Sequence, residues 1–312
     1  MRLCLTIACA AIAPVLVAAS QPVRLQPSSP WDVDYGENSC RLIRTFAEGK
    51  EKTVLVFESA GPGQMDLLVV GNGLKGYGGD SDNVPARFLP VGGKPFGGFA
   101  ARSAETGAPG ILWSKVRLLP DALADQLEKE EQQRERIAKS GARPPALDPA
   151  EEASVKAARL AFAAQANELE IGDRRKVILE TGPLGEPIKL FDQCGRDSLR
   201  DWGVDPNLED KIVRPVWAPH PERWFSPQDY PKDMIYAGQE SDVEVRLLVD
   251  DTGRPTKCTA ISHFKEKEFN QVVCDAFMKR ARFEPAELAD GTKVASYYIQ
   301  RVNFRMPRPG SF

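Results

Sequence analysis

The side chains able to do chemistry in this chain of 312 residues are few and far apart. Histidine occurs twice, as His220 and His263, so a site built from several imidazoles is excluded. His220 lies between Pro219 and Pro221, where an extended backbone gives a catalytic base no fixed partner. Of six cysteines, Cys4 and Cys9 fall in an apolar leader, which leaves Cys40, Cys194, Cys258 and Cys274. None of these stands in a C-x-x-C pair, so no zinc knuckle or redox motif is expected. An even set in an exported chain suits two disulfides. Three pairings are open, with Cys258 to Cys274 the short-range candidate and Cys40 to Cys194 the long loop left over. Residues 78–83 carry alternating oxygen ligands like the opening of a calcium loop. With Asp80 as position one, however, Arg87 and Val91 fall at the eighth and twelfth places, and the glycine and bidentate glutamate are missing. They read as a polar turn. Residues 92–98 are glycine-rich but lack the spacing and the following helix of a phosphate cradle, and read as a flexible loop. No nucleophile elbow occurs either. The expectation is a protein that is not an enzyme, with no cofactor and no metal. With 41 basic against 44 acidic residues there is no cation excess to neutralise phosphates, so nucleic acid is not expected as a partner.

The first residues set the expected compartment. Met1-Arg2 precedes an apolar run from Leu3 to Ala19, broken by Thr6 and Pro14, and small residues lead up to Ser20. Residues 1–19 read as a secretory signal peptide, which makes this an exported chain. The alternative is a short uncleaved membrane anchor, although a helix of this length rises only about 25 Å against a hydrocarbon core of about 30 Å. At roughly 100–200 residues per domain the remainder should form two domains. Residues 31–205 are expected to be a mixed β-rich domain. Its strands would be Thr53–Ser59, Met65–Gly71, Ile111–Leu119 and Lys176–Leu179, with two helices: charged Asp121–Ser140, and one capped by Asp148 with Pro149 in its first turn. Residues 206–226 read as a proline-rich, semi-rigid linker, with Trp217 and Trp224 packing on a neighbouring domain.

Residues 227–312 carry the sharpest pattern. Val243, Val245, Leu247 and Val249 alternate with polar residues as a half-buried strand, Asp250 to Gly253 make a turn, and Thr256 to Ser262 return as a second strand. Phe269, Val273 and Phe277 then recur at helical spacing, Pro285 stops the helix, and Val294, Tyr298, Val302, Phe304 and Met306 run along a final strand. A helix laid on this sheet brings Cys274 over the face that Cys258 occupies. Because the final strand can lie at an edge, Ala295 to Asn303 would offer unpaired backbone to a partner strand, with outward Tyr297, Ile299 and Arg301 selecting its side chains. The competing occupant of that edge is a second copy of the same protein, giving a homodimer.

Several motifs in this region occur in a recognisable order. They are Gln228-Asp-Tyr-Pro231, Glu240, Val243 to Asp250, Thr252-Gly-Arg254, the Cys258 strand, Phe269 to Cys274, and Arg280-Ala-Arg-Phe-Glu-Pro-Ala286. The segment resembles the C-terminal domain of TonB-family proteins, over about a quarter of the chain. That resemblance implies an α+β fold, with a three-stranded antiparallel sheet packed on a helix. It also implies a periplasmic module that binds TonB-dependent outer-membrane receptors of Gram-negative bacteria by strand addition, in transport energised from the inner membrane. Gln228, Tyr230 and Pro231 would flank the bound segment. An inner-membrane motor becomes a partner only if the leader is retained. The family's long run of alternating Pro with Lys or Glu is absent, so a scaffold or oligomerisation role for the same domain stands as the alternative.

Overall fold

The computed structural model describes residues 21–36, 38–48, 51–62, 65–77, 81–102, 107–261 and 267–306. The leader, His263 and residues 78–80 lie outside them.

Period-two burial organises the first half of the chain. In Glu51–Ser59, Thr53, Leu55, Phe57 and Ser59 are buried while Val54, Val56 and Glu58 are half-exposed, the pattern of a sheet with one dry face. The strands are β1 (Val23–Pro27), β2 (Asp32–Tyr35), β3 (Cys40–Glu48), β4 (Glu51–Ser59), β5 (Asp66–Gly71), β6 (Ser81–Leu89), β7 (Phe96–Arg102), β8 (Pro109–Trp113), β9 (Glu168–Ile171) and β10 (Val177–Leu179). Their order is β1-β10-β9-β6-β7-β8-β5-β4-β3-β2, and β1 also pairs with β3, so nine strands close into a barrel with β2 continuing alongside β3. Closing an odd number of strands requires one parallel contact. It is β1 with β10; the other pairs are antiparallel. The expected mixed β-rich domain is therefore a closed barrel. Its closing strand precedes residue 31, where the domain was expected to begin.

Two further corrections concern the barrel. The second half of the calcium-like loop and the end of the glycine-rich loop are strands, β6 and β7, with Gly98 leaving room for the Trp113 ring, whose indole N–H donates to the Val84 carbonyl at 2.9 Å. The barrel region also has a third long helix. Helices α1 (Asp121–Lys139) and α2 (Pro149–Gln165) match the two expected, with the Asp148 carboxylate accepting from the Ala150 N–H at 2.9 Å. The additional α3 (Gly185–Trp202) buries Ile188, Phe191, Cys194 and Leu199 and ends at Gly203.

The segment 206–226 also differs from an extended linker. Asp205 caps α4 (Pro206–Glu209), β11 (Ile212–Arg214) pairs with β14 (Ala286–Leu288), and Trp217 exchanges backbone hydrogen bonds with Glu284 at 3.0 and 2.9 Å. Val216, Ala218 and Trp224 are buried in a second core, separate from that of the barrel. Burial of several large side chains, at about 1.5–3 kcal/mol each, holds this stretch down.

That second core lies under the sheet β13-β12-β16, built from β12 (Ser241–Val249), β13 (Pro255–Ala260) and β16 (Ser296–Phe304), all antiparallel. Helix α6 (Lys267–Arg280) packs Phe269, Val273 and Phe277 on it. A short α5 (Lys232–Tyr236) precedes β12, and β15 (Lys293–Val294) completes the small sheet β11-β14-β15. Between β12 and β13, the Asp250 carboxylate accepts from the Thr252 and Arg254 N–H groups at 2.9 Å. Gly253 has φ of 82°, and a Cβ there would stand 1.9 Å from the Phe283 carbonyl oxygen. The Asp-x-x-Gly-Arg turn thus fits beneath the exit of α6.

Cys40 is bonded to Cys194 and Cys258 to Cys274, the two expected pairs, at sequence separations of 154 and 16. Chain-entropy arguments assign about 5 kcal/mol to the long loop and about 3 to the short one. Replacing Cys40 and Cys194 by alanine should therefore lower the guanidinium midpoint more than replacing Cys258 and Cys274. Non-reducing peptide mapping checks the pairing itself.

Candidate partner-binding edge

Along one edge β16 pairs with β12 in continuous register, from Ser241 with Phe304 to Val249 with Ser296. Along its other edge no strand is paired among the described residues. Side chains alternate across it. Tyr298, Val302 and Phe304 face α6 and the core, while Tyr297, Ile299 and Arg301 point to the opposite face.

The opposite face is not open. The Tyr297 hydroxyl donates to the Pro62 carbonyl at 3.2 Å, and its ring meets Trp202, at the end of α3, edge to face at 5.7 Å. Ile299 abuts Gly61, where a Cβ would come within 3.0 Å of Ile299 Cδ1 and Tyr297 Cε2. Arg301 reaches Glu244 at 3.4 Å and Asp66 of the barrel at 3.8 Å. The three residues expected to select a partner's side chains thus also contact the barrel, with Tyr297 and Ile299 half-buried and Arg301 exposed. Burial raises the Tyr297 pKa above its ordinary value and pushes Tyr298 up to about 12.

Beside them on β12, Arg246 is only 4% exposed. Its guanidinium donates to the Asn38 and Ala60 carbonyls at 2.8 and 2.9 Å and lies 3.4 Å from the centre of the Trp202 ring. Burial lowers its pKa to about 10, which leaves it charged at neutral pH. At the start of β16, the Ser296 hydroxyl donates to Glu209 at 2.7 Å, and burial raises the pKa of that carboxyl. Sequence reasoning missed Arg246, Trp202 and Gly61. Arg246 has the alternation of an ordinary solvent-facing residue, and nothing local marks the surface that covers it.

The three residues expected to flank a bound strand sit at the other end of β16. Gln228 is exposed in a turn over Pro227–Asp229, and Pro231 is half-buried ahead of α5. The Tyr230 ring packs edge to face on Phe304 and Phe269 at 5.3 and 5.6 Å, and its hydroxyl donates to the Gln239 carbonyl. Tyr230 therefore closes the core. Between Gln228 and Tyr230, Asp229 accepts from both terminal nitrogens of Arg280, at 2.9 and 2.5 Å. The Arg280 hydrogen bonds hold its carboxyl at about 2. Asp229 and Arg280 thus tie the Tyr-Pro segment to the end of α6, which accounts for two of the ordered motifs by one contact.

This strand-strand-helix-strand unit and its ordered motifs match the family described as Gram-negative bacterial TonB protein C-terminal, over residues 226–306. Residues 226–306 are thus similar to a TonB C-terminal domain. The match covers 81 of 312 residues and leaves the barrel outside it. No curated protein matches the chain. Of the residues singled out in the TonB-like domain, the structure joins the two cysteines and places Tyr297, Ile299 and Arg301 together at the barrel contact. Gln228, Tyr230 and Pro231 form a separate group near Phe304.

Two outcomes follow from this packing. Arg246→Met leaves two carbonyl oxygens without their donor and should cost about 2–4 kcal/mol in urea unfolding followed by tryptophan fluorescence. A change below about 0.5 kcal/mol would mean that the contact carries little. Because the Asp229 pKa is depressed, its stabilisation is present above the unfolded value of 3.8 and is lost as pH falls through about 2. Asp229→Asn should remove this acid dependence, about 1 kcal/mol after solvent screening, from unfolding curves across that window.

Proposed function

We propose that this is a periplasmic TonB-like protein whose C-terminal domain captures an extended segment of a TonB-dependent outer-membrane receptor as a strand added to the free edge of β16. The observation that carries the reading is an unpaired nine-residue edge within a segment matching the TonB C-terminal family. Backbone pairing there gives affinity with little demand on sequence. Two disulfides suit an oxidising compartment. Among the described residues no helix is long and apolar enough to cross a membrane. Coupling to an inner-membrane motor would need residues 1–19 to persist as an anchor, which N-terminal sequencing of the mature protein decides. Strand capture is a binding function and involves no catalysis.

A second reading is favoured by one observation. The stretch before the domain is folded against β14 and the second core, so among the described residues no extended arm precedes the TonB domain. The same edge could then serve a scaffold that self-associates.

Titrating the full chain with a TonB-box peptide distinguishes the two. In an antiparallel edge strand successive amides point to opposite sides, so one of Ile299→Pro and Gln300→Pro removes a donor from the free edge and the other breaks the ladder to β12. The first should abolish peptide capture while the protein stays folded. Absence of peptide binding, together with a dimer in sedimentation that the same proline disrupts, would assign the edge to self-association.

A further inference from the structure

The chain that follows β4 lies against the outer face of the β13-β12-β16 sheet, and its backbone is held from three sides. Three successive carbonyls each accept from a side chain: Ala60 from Arg246 at 2.9 Å, Gly61 from the Ser59 hydroxyl, and Pro62 from the Tyr297 hydroxyl at 3.2 Å. The N–H of Gly61, a buried residue, turns back to the Ser59 oxygen at 3.3 Å, and Pro62 has no N–H to offer. Gly61 and Pro62 therefore keep no free backbone donor for a visiting chain.

The order of these contacts gives the direction in which the chain runs. Ala60 meets Arg246 on β12, then Gly61 meets Ile299 and Pro62 meets Tyr297, both on β16. Arg246 and Ile299 are cross-strand partners, so residues 60–62 cross from the middle strand of the sheet to its edge strand. The next place in that order is the one an added strand would take, about 4.8 Å beyond β16.

What borders that place is hydrocarbon. A Cβ on Gly61 would stand 3.0 Å from both Ile299 Cδ1 and Tyr297 Cε2, so these side chains close directly on the turn. Behind them Pro62 rests beside Gly195 of α3, where a Cβ would lie 3.9 Å from Pro62 Cγ, and Trp202 meets the Tyr297 ring edge to face. Tyr297 and Ile299 are only half-buried, which leaves part of each open. At Arg301 the border turns ionic, with Glu244 at 3.4 Å and Asp66 at 3.8 Å.

We propose that the barrel takes part in strand capture and sets a sequence requirement for it: the added strand carries apolar residues opposite Tyr297 and Ile299, beneath the Gly61 and Pro62 turn, and admits polar ones opposite Arg301. This rests on the reading of β16 as a capturing edge. Side chains directly opposite one another on one face of a sheet pack in pairs, so a residue in either of those two places would lie against Tyr297 or Ile299 with the turn above it. A polar side chain there would leave water without gaining a partner, which is discrimination by rejection. The selecting surface is continuous with the contact that already joins barrel and sheet.

The full chain, titrated with a TonB-box peptide and with versions carrying Asn at each position in turn, tests this. Asn at two positions separated by one residue should weaken binding about tenfold or more, while Asn at the next alternate position, opposite Arg301, should change it by less than about threefold. Benzoylphenylalanine at the first two positions should cross-link to residues 61–62 or to Trp202, and at the residue between them should not. Pro62→Ala keeps the carbonyl that Tyr297 uses and loses the ring, so water reaches the site and the penalty for Asn should shrink at least about threefold. If the wild-type chain captures the peptide but tolerates Asn within about twofold at every position, the inference is overturned while capture at β16 stands. The same holds if no cross-link reaches the barrel, or if Pro62→Ala leaves the penalty unchanged. If the wild-type chain binds no TonB-box peptide, capture itself fails and this inference fails with it.

Discussion

The burial of one cation ties the two halves of this molecule together. Taking a guanidinium out of water costs several kcal/mol unless it is compensated, and Arg246 is met by two carbonyl oxygens at Nη1 and by a ring face. Those partners come from three separate parts of the barrel region: Asn38 before β3, Ala60 after β4, and Trp202 at the end of α3. They must be held in advance, because loose loops would leave the charge unsolvated. The Cys40–Cys194 bond provides part of that constraint, since it fixes the start of β3 to the middle of the helix that presents Trp202. A second contact supports it at a distance, where Arg143 in the α1–α2 connection reaches Glu284 and Glu287 at 3.2 Å.

This arrangement changes how the edge of β16 would be read by a partner. An added strand presents alternate side chains to the two faces of the sheet. On one side it would meet a barrel already seated over Tyr297, Ile299 and Arg301. On the other it would lie beside Tyr298, Gln300 and Val302, with the Tyr230 end of the domain nearby. Selectivity between partner sequences then belongs to the helix-side face and to whatever the barrel presents next to Pro62 and Trp202.

The C-terminal domain was legible because its signals are local. Four aliphatic residues alternate through Val243 to Val249, a single Asp-x-x-Gly turn sets the hairpin, and α6 has its apolar stripe in one uninterrupted run. The barrel hides its pattern. Pro85, Gly97, Gly98 and Pro109 stand inside strands where such residues usually argue against one, and β9 and β10 have only four and three residues. Closure is a contact between Val23 and Val177, which no window along the sequence contains. Helix α3 did carry the right spacing, but Gly185 and Pro187 look like breakers although proline is tolerated in a first turn. The same error applies to residues 206–231. Pro206, Pro221 and Pro227 each open a short helical turn, so their density marks helix starts and not an extended tether.

The barrel pattern also bears on which edge of the molecule is available. Closing nine strands removes most free edges, and those that remain are unequal. β2 has four residues and carries Asp32 and Asp34; β11 and β15 have three and two. β13 begins at Pro255, carries Lys257, and is bonded through Cys258 to the helix over it. Short length, charge and proline are the devices by which proteins blunt an edge against unwanted pairing. β16 has nine residues, begins Ser-Tyr-Tyr-Ile, and contains no proline. An edge left this long in a chain that blunts its others is the one that offers most unpaired backbone to a partner strand. Whether that strand comes from a receptor or from a second copy, it would arrive at the side of a sheet that Arg246 already locks to the barrel, so pairing at β16 would engage both halves of the protein at once.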